Sequence, residues 1–231
     1  MEQLIFELAT PEPPAFANFV QGHNAEASAT LRRFAEGECG DGETGIVLWG
    51  APGTGKSHLL RAAVGAAQAA GRDALFVAGP ADVTTISTSH TFIAVDQADT
   101  ADAAAQGRLF TLYNALAASN GQLAVATRLA PARLALRDDL RTRLGHGLIF
   151  EIVPLADADK ASALAVYARE RGFHLGDDVI GYLLAHGRRD MSALVGTLAA
   201  LDRHSLSQKR PITVPLLREL LQREIRLPNS G

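Results

Sequence analysis

Phosphate chemistry is written most plainly in the octapeptide Gly50-Ala51-Pro52-Gly53-Thr54-Gly55-Lys56-Ser57, which meets the pattern G-x-x-x-x-G-K-[ST] at every required position. The glycines let the backbone curl so that its N–H groups converge on phosphate oxygens, and a following helix adds the positive end of its dipole. Pro52 and Thr54 complete the loop. Lys56 is placed to reach the β- and γ-phosphates of a nucleotide, and the Ser57 hydroxyl to ligate Mg²⁺. The chain has three lysines only, Lys56, Lys160 and Lys209, so a lysine at this position runs against its arginine-rich bias. His58, next to the serine, is read as a packing residue or one at the phosphate periphery. A second element of the same chemistry is Phe92-Ile93-Ala94-Val95-Asp96, an apolar strand ending in an acid, where Asp96 would orient the waters of Mg²⁺. Many hydrolysing P-loop enzymes carry another carboxylate at the next position; here it is Gln97. An amide positions water but is a poor general base, so fast autonomous hydrolysis is not expected.

Between Arg128 and Arg143 the chain carries Arg128, Arg133, Arg137, Arg141 and Arg143 around Asp138-Asp139. Most of these read as solvated charge with local pairing. The exception is Asp139-Leu140-Arg141-Thr142-Arg143-Leu144, just before a strand, where an AAA+ protein would present arginines to the nucleotide of a neighbour. A guanidinium there offsets charge developing on the γ-phosphate in the transition state. None of the seven histidines shows metal-ligand spacing, and a single cysteine, Cys39, excludes both an internal disulfide and a structural zinc site.

These residues need a scaffold that carries them to one place, and the hydrophobic pattern supplies it. Apolar residues make up 47% of the 231 and charged residues 20%, which supports a sizeable core and excludes wholesale disorder. Strand-type runs at 46–49, 74–77, 91–95, 122–127 and 148–152 alternate with helical segments at 57–70 and 106–119, the pattern of a mostly parallel sheet covered on both faces. After Pro154 only helical segments follow: one from an Asp157 cap to Arg171, one from Asp177 or Asp178 to Ala185, one from Asp190 to about Ser205, and one from Thr213 to Arg226. The expected fold is therefore α/β, a P-loop domain with a parallel sheet followed by a C-terminal all-helical domain. The expected division is a tail at 1–18, an α/β nucleotide-binding domain at 19–153 and the helical domain at 154–231. In the tail, the apolar burst Gln3 to Leu8 precedes three prolines in four positions, Pro11 to Pro14, and reads either as an edge strand or as a tethered peptide offered to a partner. The net charge of −3 argues against a protein that works by blanketing nucleic acid with positive charge. There is neither a signal-peptide pattern nor a run of about 18 apolar residues, so a cytoplasmic protein without membrane contact is expected.

From end to end the chain resembles the Hda family, the DnaA-related AAA+ proteins behind regulatory inactivation of the bacterial replication initiator. Gln3-Leu4-Ile5-Phe6-Glu7-Leu8 is similar to that family's clamp-binding peptide, and Phe16-Ala17-Asn18-Phe19-Val20 with Gly22-His23-Asn24-Ala25-Glu26-Ala27 to its entry segment. Leu48 to Leu60 matches its P-loop, and Asp139 to Leu144 with Gly147-Leu148 its arginine-finger box. Arg169 to Leu175 and Leu201 to Pro215 are similar to its lid.

The resemblance implies an α/β AAA+ P-loop domain with a parallel sheet and a C-terminal all-helical lid domain, acting as a regulator of replication initiation. Bound to the DNA-loaded β sliding clamp of DNA polymerase III through Gln3, Leu4, Phe6 and Leu8, it would stimulate hydrolysis of DnaA-bound ATP with Arg143 as a finger in trans and Arg141 as understudy. Its partners would be DnaA and the clamp, with homo-oligomerisation left open and no direct sequence-specific DNA binding. Its cofactors would be ADP or ATP with Mg²⁺. Two departures, Ser192 where the family carries a lid arginine and Thr127-Arg128 where it carries an acid or amide, join Gln97 in favouring a bound nucleotide, ADP above all, that orders the domain. The rival reading is a clamp- or helicase-binding, nucleotide-dependent adaptor or loader that activates no ATPase.

Overall fold

Five apolar runs become strands; the three central ones, at 45–49, 92–95 and 122–127, are buried on both faces almost throughout, whereas the edge run at 148–151 alternates half-buried and exposed. The computed structural model describes residues 13–38, 42–83, 91–188 and 190–226, side chains of 223–226 excepted. Its strands are β1 (Gly45–Trp49), β2 (Ala74–Val77), β3 (Phe92–Val95), β4 (Gln122–Thr127) and β5 (Leu148–Glu151). They form one sheet in the order β2-β3-β4-β1-β5, with every neighbouring pair parallel. Helices α1 (Ala25–Glu36), α2 (Lys56–Ala69), α3 (Ala103–Ala118) and α4 (Asp138–Gly145) cover it.

Strand alternation divides the core cleanly. Val47, Ile93, Val95, Leu123 and Val125 face α3 and α4, where they meet Leu109, Leu112, Leu116, Leu140 and Leu144. Their neighbours Ile46, Leu48, Phe92, Ala94, Ala124 and Ala126 face α1 and α2, against Leu31, Phe34, Leu59, Leu60 and Ala63. The small residues at 94, 124 and 126 leave room for α2, which contacts the sheet through β2, β3 and β4.

Helix α3 begins at Ala103, earlier than the expected Gln106, because the Asp102 side chain caps it by accepting from Ala105 N at 2.7 Å. The arginine-rich stretch before β5 contains the helix α4, with Asp138 and Asp139 in its first turn where their charge suits the dipole. Phe16, in the stretch grouped with the tail, and Phe19, just after it, pack on the α1/α2 side of the core.

The C-terminal part has a core of its own. Helices α5 (Asp157–Glu170), α6 (Asp177–His186), α7 (Met191–Gln208) and α8 (Val214–Arg226) enclose Leu164, Leu183, Leu194, Leu198, Leu201, Leu216 and Leu217. Asp190 caps α7 as expected, accepting from Ala193 N at 2.8 Å, and the helix runs beyond Ser205 to a left-handed Lys209. Asp157, by contrast, is the first residue of α5 rather than its cap; Ala156 occupies that place with no side-chain bond. No helix of the described residues is long and apolar enough to cross a membrane.

One side chain ties the edge of the sheet that lies farthest from the phosphate loop. Arg72 Nη1 donates to Phe34 O (3.2 Å), Ala35 O (2.6 Å) and Gln122 Oε1 (2.7 Å), and its Nη2 donates to Thr91 O (2.9 Å). It thereby joins the end of α1, the start of β3 and the start of β4. Arg72→Ala would leave several part-buried acceptors unmet and is expected to lower folding stability by about 2–4 kcal/mol. A lower urea midpoint at unchanged denaturant slope checks this.

Candidate nucleotide site and the arginine helix

The phosphate loop leaves β1 at the carboxyl edge of the sheet, where parallel α/β folds bind ligands. Gly50 has φ +151°, its N–H donates to Thr127 O at 3.2 Å, and a Cβ there would collide with the carbonyl of Ile152. The loop closes on itself through Thr54 Oγ1, which donates to Ala51 O at 3.0 Å. Lys56 reaches across it, its Nζ donating to Gly50 O at 2.7 Å and Ala51 O at 2.8 Å. The ammonium thus waits at the mouth of the loop on weak neutral acceptors that phosphate oxygens can outbid. Burial pushes its pKa below the ordinary value, while Asp96 and then Asp99 pull it back up. Ser57 lies exposed in the first turn of α2, whose leading N–H groups have no partner within the helix.

Asp96 follows β3 and is buried, with Oδ1 accepting from Gln97 N at 2.8 Å. In the strand order β4 separates β3 from β1, so Thr127 and Arg128 at the end of β4 fall between Asp96 and the phosphate loop. Gln97 is exposed with φ +51°. A group of three or more His, Cys, Asp or Glu side chains able to cage a metal does not occur among the described residues. One hydroxyl and one carboxylate, Ser57 and Asp96, suit Mg²⁺, which keeps waters and phosphate oxygens in its shell.

A second acid belongs to this corner and escaped the sequence reading. Asp99 sits on a one-turn 3₁₀ helix, Ala98–Thr100, and its Oδ2 pairs with Arg128 Nε at 2.5 Å. Its spacing of three from Asp96 was the available signal, but the partner lies on another strand.

The entry segment closes over the loop. Phe19 lies so near Gly55 that a Cβ there would come 2.8 Å from its ring, and the ring is 5.5 Å from the His58 imidazole. His58 Nε2 lies 3.0 Å from Ala15 O. His58 thus packs beneath the entry segment, beside the phosphate loop. Asn24, buried, makes a two-way amide pair with Val153, donating to its carbonyl at 3.0 Å and accepting from its N–H at 2.9 Å. The lid approaches from the other side: a Cβ on Gly53 would lie 3.6 Å from Asp190 Cβ, with exposed Ser192 in the adjoining turn of α7.

The two box arginines are distinguished by their surroundings. Arg141 is tied down, with Nη2 donating to Asp138 Oδ1 at 2.6 Å. Arg143 is exposed in the last turn of α4, 5.9 Å from the Tyr113 ring centroid, and makes no hydrogen bond or ion pair among the described residues. The chain runs from it through Gly147, whose Cβ would strike Gly45 O, into Leu148, which pairs with Ile46 at the start of β1. Arg143 therefore sits toward the opposite edge of the sheet from its own phosphate loop. The clamp-peptide residues Gln3, Leu4, Phe6 and Leu8 lie outside the described residues.

A five-stranded parallel sheet in this order, a phosphate loop after the first strand, an acid after the third and a helical lid behind define an AAA+ module. Residues 157–221 match the family model described as Hda, lid domain. Residues 157–221 are thus similar to the Hda lid and follow a domain of AAA+ fold, and the resemblance to the Hda family read from the sequence stands. Domain III of the Thermotoga maritima replication initiation protein DnaA superposes with a TM-score of 0.76 at 17% identity, covering 94% of this chain and 98% of that one. AMPPCP-bound DnaA from Aquifex aeolicus gives 0.72 at 21% identity, covering 93% and 69%. The Thermotoga maritima RuvB Holliday junction branch migration motor gives 0.67 at 17%, covering 91% and 72%.

Gly55→Ala is expected to cost about 1–3 kcal/mol, from the left-handed backbone at φ +97° and from the Phe19 ring together. Combining it with Phe19→Ala should remove the steric part alone, so thermal unfolding of both single variants and the double checks for non-additivity.

Proposed function

We propose that this chain is a DnaA-related, nucleotide-binding regulator of replication initiation, cytoplasmic in location, that stimulates hydrolysis of ATP held by DnaA while bound to the DNA-loaded β sliding clamp. The division into a clamp-binding tail (1–18), a nucleotide-binding domain (19–153) and a lid (154–231) belongs to this proposal. Gln3, Leu4, Phe6 and Leu8 would dock on the clamp, and Arg143 would enter the initiator's site in trans.

The observation that supports the reading most is the contrast within α4. Arg141 is held by Asp138, whereas Arg143 is exposed, without an ionic partner among the described residues, and remote from the chain's own phosphate loop. An arginine so placed is of no use to the nucleotide of its own chain and is suited to one on another. As the γ-phosphate separates, its guanidinium would offset the charge gathering on the equatorial and bridging oxygens, a contribution worth about 10³–10⁵ in rate where such fingers have been measured. The chain's own loop would hold ADP or ATP through Gly50, Pro52, Gly53, Thr54, Gly55, Lys56 and Ser57, with His58 behind it and Ser57 and Asp96 serving Mg²⁺. Mg²⁺ would supply neutralisation of phosphate charge there. With an exposed amide at Gln97 and Ser192 in the lid, that nucleotide is not turned over quickly, and ADP would serve to lock lid, loop and entry segment together.

Hydrolysis of radiolabelled ATP on DnaA, with clamp loaded on DNA, tests the central claim. Arg143→Ala is expected to abolish stimulation while clamp binding persists, and Arg141→Ala to retain most of it. Stimulation undiminished by Arg143→Ala would refute the finger; clamp binding without any stimulation by the unaltered protein would establish the adaptor or loader reading instead. Separately, Gln3→Ala with Leu4→Ala is expected to weaken clamp affinity at least about tenfold in titration calorimetry, since a desolvated anchor is worth roughly 1–2 kcal/mol or more.

A further inference from the structure

At the carboxyl edge of the sheet four charged side chains meet: Lys56 on the phosphate loop, Asp96 after β3, Asp99 on the following turn, and Arg128 after β4. Mg²⁺ and the phosphates account for Lys56 and Asp96. Asp99 and Arg128 are left over, and they are bound to one another at 2.5 Å. The two halves of the pair are unequal in solvation. The Asp99 side chain is 8% exposed and that of Arg128 is 64% exposed. Water screens the guanidinium strongly and the carboxylate weakly, so the pair does not present itself to the site as neutral. The negative end dominates on the inner side, and Lys56 feels Asp99 as well as Asp96. The same pairing engages the Nε of Arg128, the side chain that follows β4 between the acid and the phosphate loop.

We infer that Asp99 sets the nucleotide preference of this domain: its buried carboxylate repels the added charge of a γ-phosphate and holds Arg128 away from it, so that the site selects a nucleoside diphosphate over the triphosphate. This rests on the nucleotide-binding reading above and identifies the residue that decides which nucleotide is kept. Asp99 acts as a positioning and field residue, not as a base. An amide of the same shape keeps a hydrogen-bond acceptor for Arg128 but removes the charge that pins it. The guanidinium is then able to turn its fork toward a terminal phosphate, for which arginine is well suited.

The test measures equilibrium affinities for ADP and ATP, each with Mg²⁺, on the full chain, with thermal unfolding recorded for every variant. The unaltered protein is expected to favour ADP. Asp99→Asn is expected to raise the affinity for ATP relative to ADP at least about tenfold, the order of one charge-assisted hydrogen bond gained. Asp99→Glu, which restores the charge, should return the ratio toward that of the unaltered protein. Arg128→Ala should lower ATP affinity further with ADP affected less, and the double variant Asp99→Asn, Arg128→Ala should lose the gain of Asp99→Asn. A ratio that stays within about twofold in Asp99→Asn, or one that moves toward ADP, overturns the inference while leaving nucleotide binding intact. Failure of the unaltered protein to bind either nucleotide overturns both this and the reading on which it rests.

Discussion

A loop that is to receive phosphate must hold its backbone N–H groups inward and unpaired, against the general rule that buried backbone groups find partners. Such a loop does not fold for its own sake. It has to be fixed from outside, and the contacts around it do this from four directions. The end of β4 anchors it, Thr127 O accepting from the Gly50 N–H; the Ile152 carbonyl just after β5 presses on Gly50; Phe19 lies against Gly55; the cap of α7 stands against Gly53. Lys56 and Thr54 complete the closure from within. At Gly50 and Gly55 a neighbour has moved in as far as a missing side chain allows, and at Gly53 the left-handed backbone at φ +79° itself favours glycine.

From that constraint the architecture follows. The parallel sheet buries both faces, which makes its carboxyl edge rigid and brings the ends of β1, β3 and β4 level. The entry segment, the phosphate loop and the lid then meet around one volume, with Asn24 fastening the first to Val153 near the start of the third. A ligand there would touch parts of the chain whose cores are otherwise separate. On the proposed reading, a nucleotide that is turned over slowly would still matter, by ordering one arrangement of lid and domain.

Charge is partitioned in the same spirit. The arginines of the segment before β5 are mostly spent locally: Arg137 on Asp139, Arg141 on Asp138, Arg128 on Asp99. Arg143 stands apart from these pairs, and it stands on the edge of the sheet that faces away from its own phosphate loop. One end of the sheet thus carries the phosphate loop and the other an exposed arginine, unpaired among the described residues.

The sequence by itself determined whatever local periodicity and spacing encode. Gly50 to Ser57 is legible because its chemistry is contiguous; the strands are legible because both faces of a parallel sheet are apolar; α7 is legible because Asp190 is a cap adjacent to its helix. It failed where neighbours in space are distant in the chain. Helix α4 is eight residues long and mostly charged, too short and polar to announce a period, and it is secured by Leu140 and Leu144 packing on the sheet. The Asp99–Arg128 pair spans 29 residues and exists because β3 and β4 lie side by side. The packing of Phe19 and His58 over the phosphate loop, and the difference between Arg141 and Arg143, likewise appear only when separate elements are brought together. Only the tertiary structure decided these, because parallel strands joined through helices place their ends side by side at separations that no local pattern records.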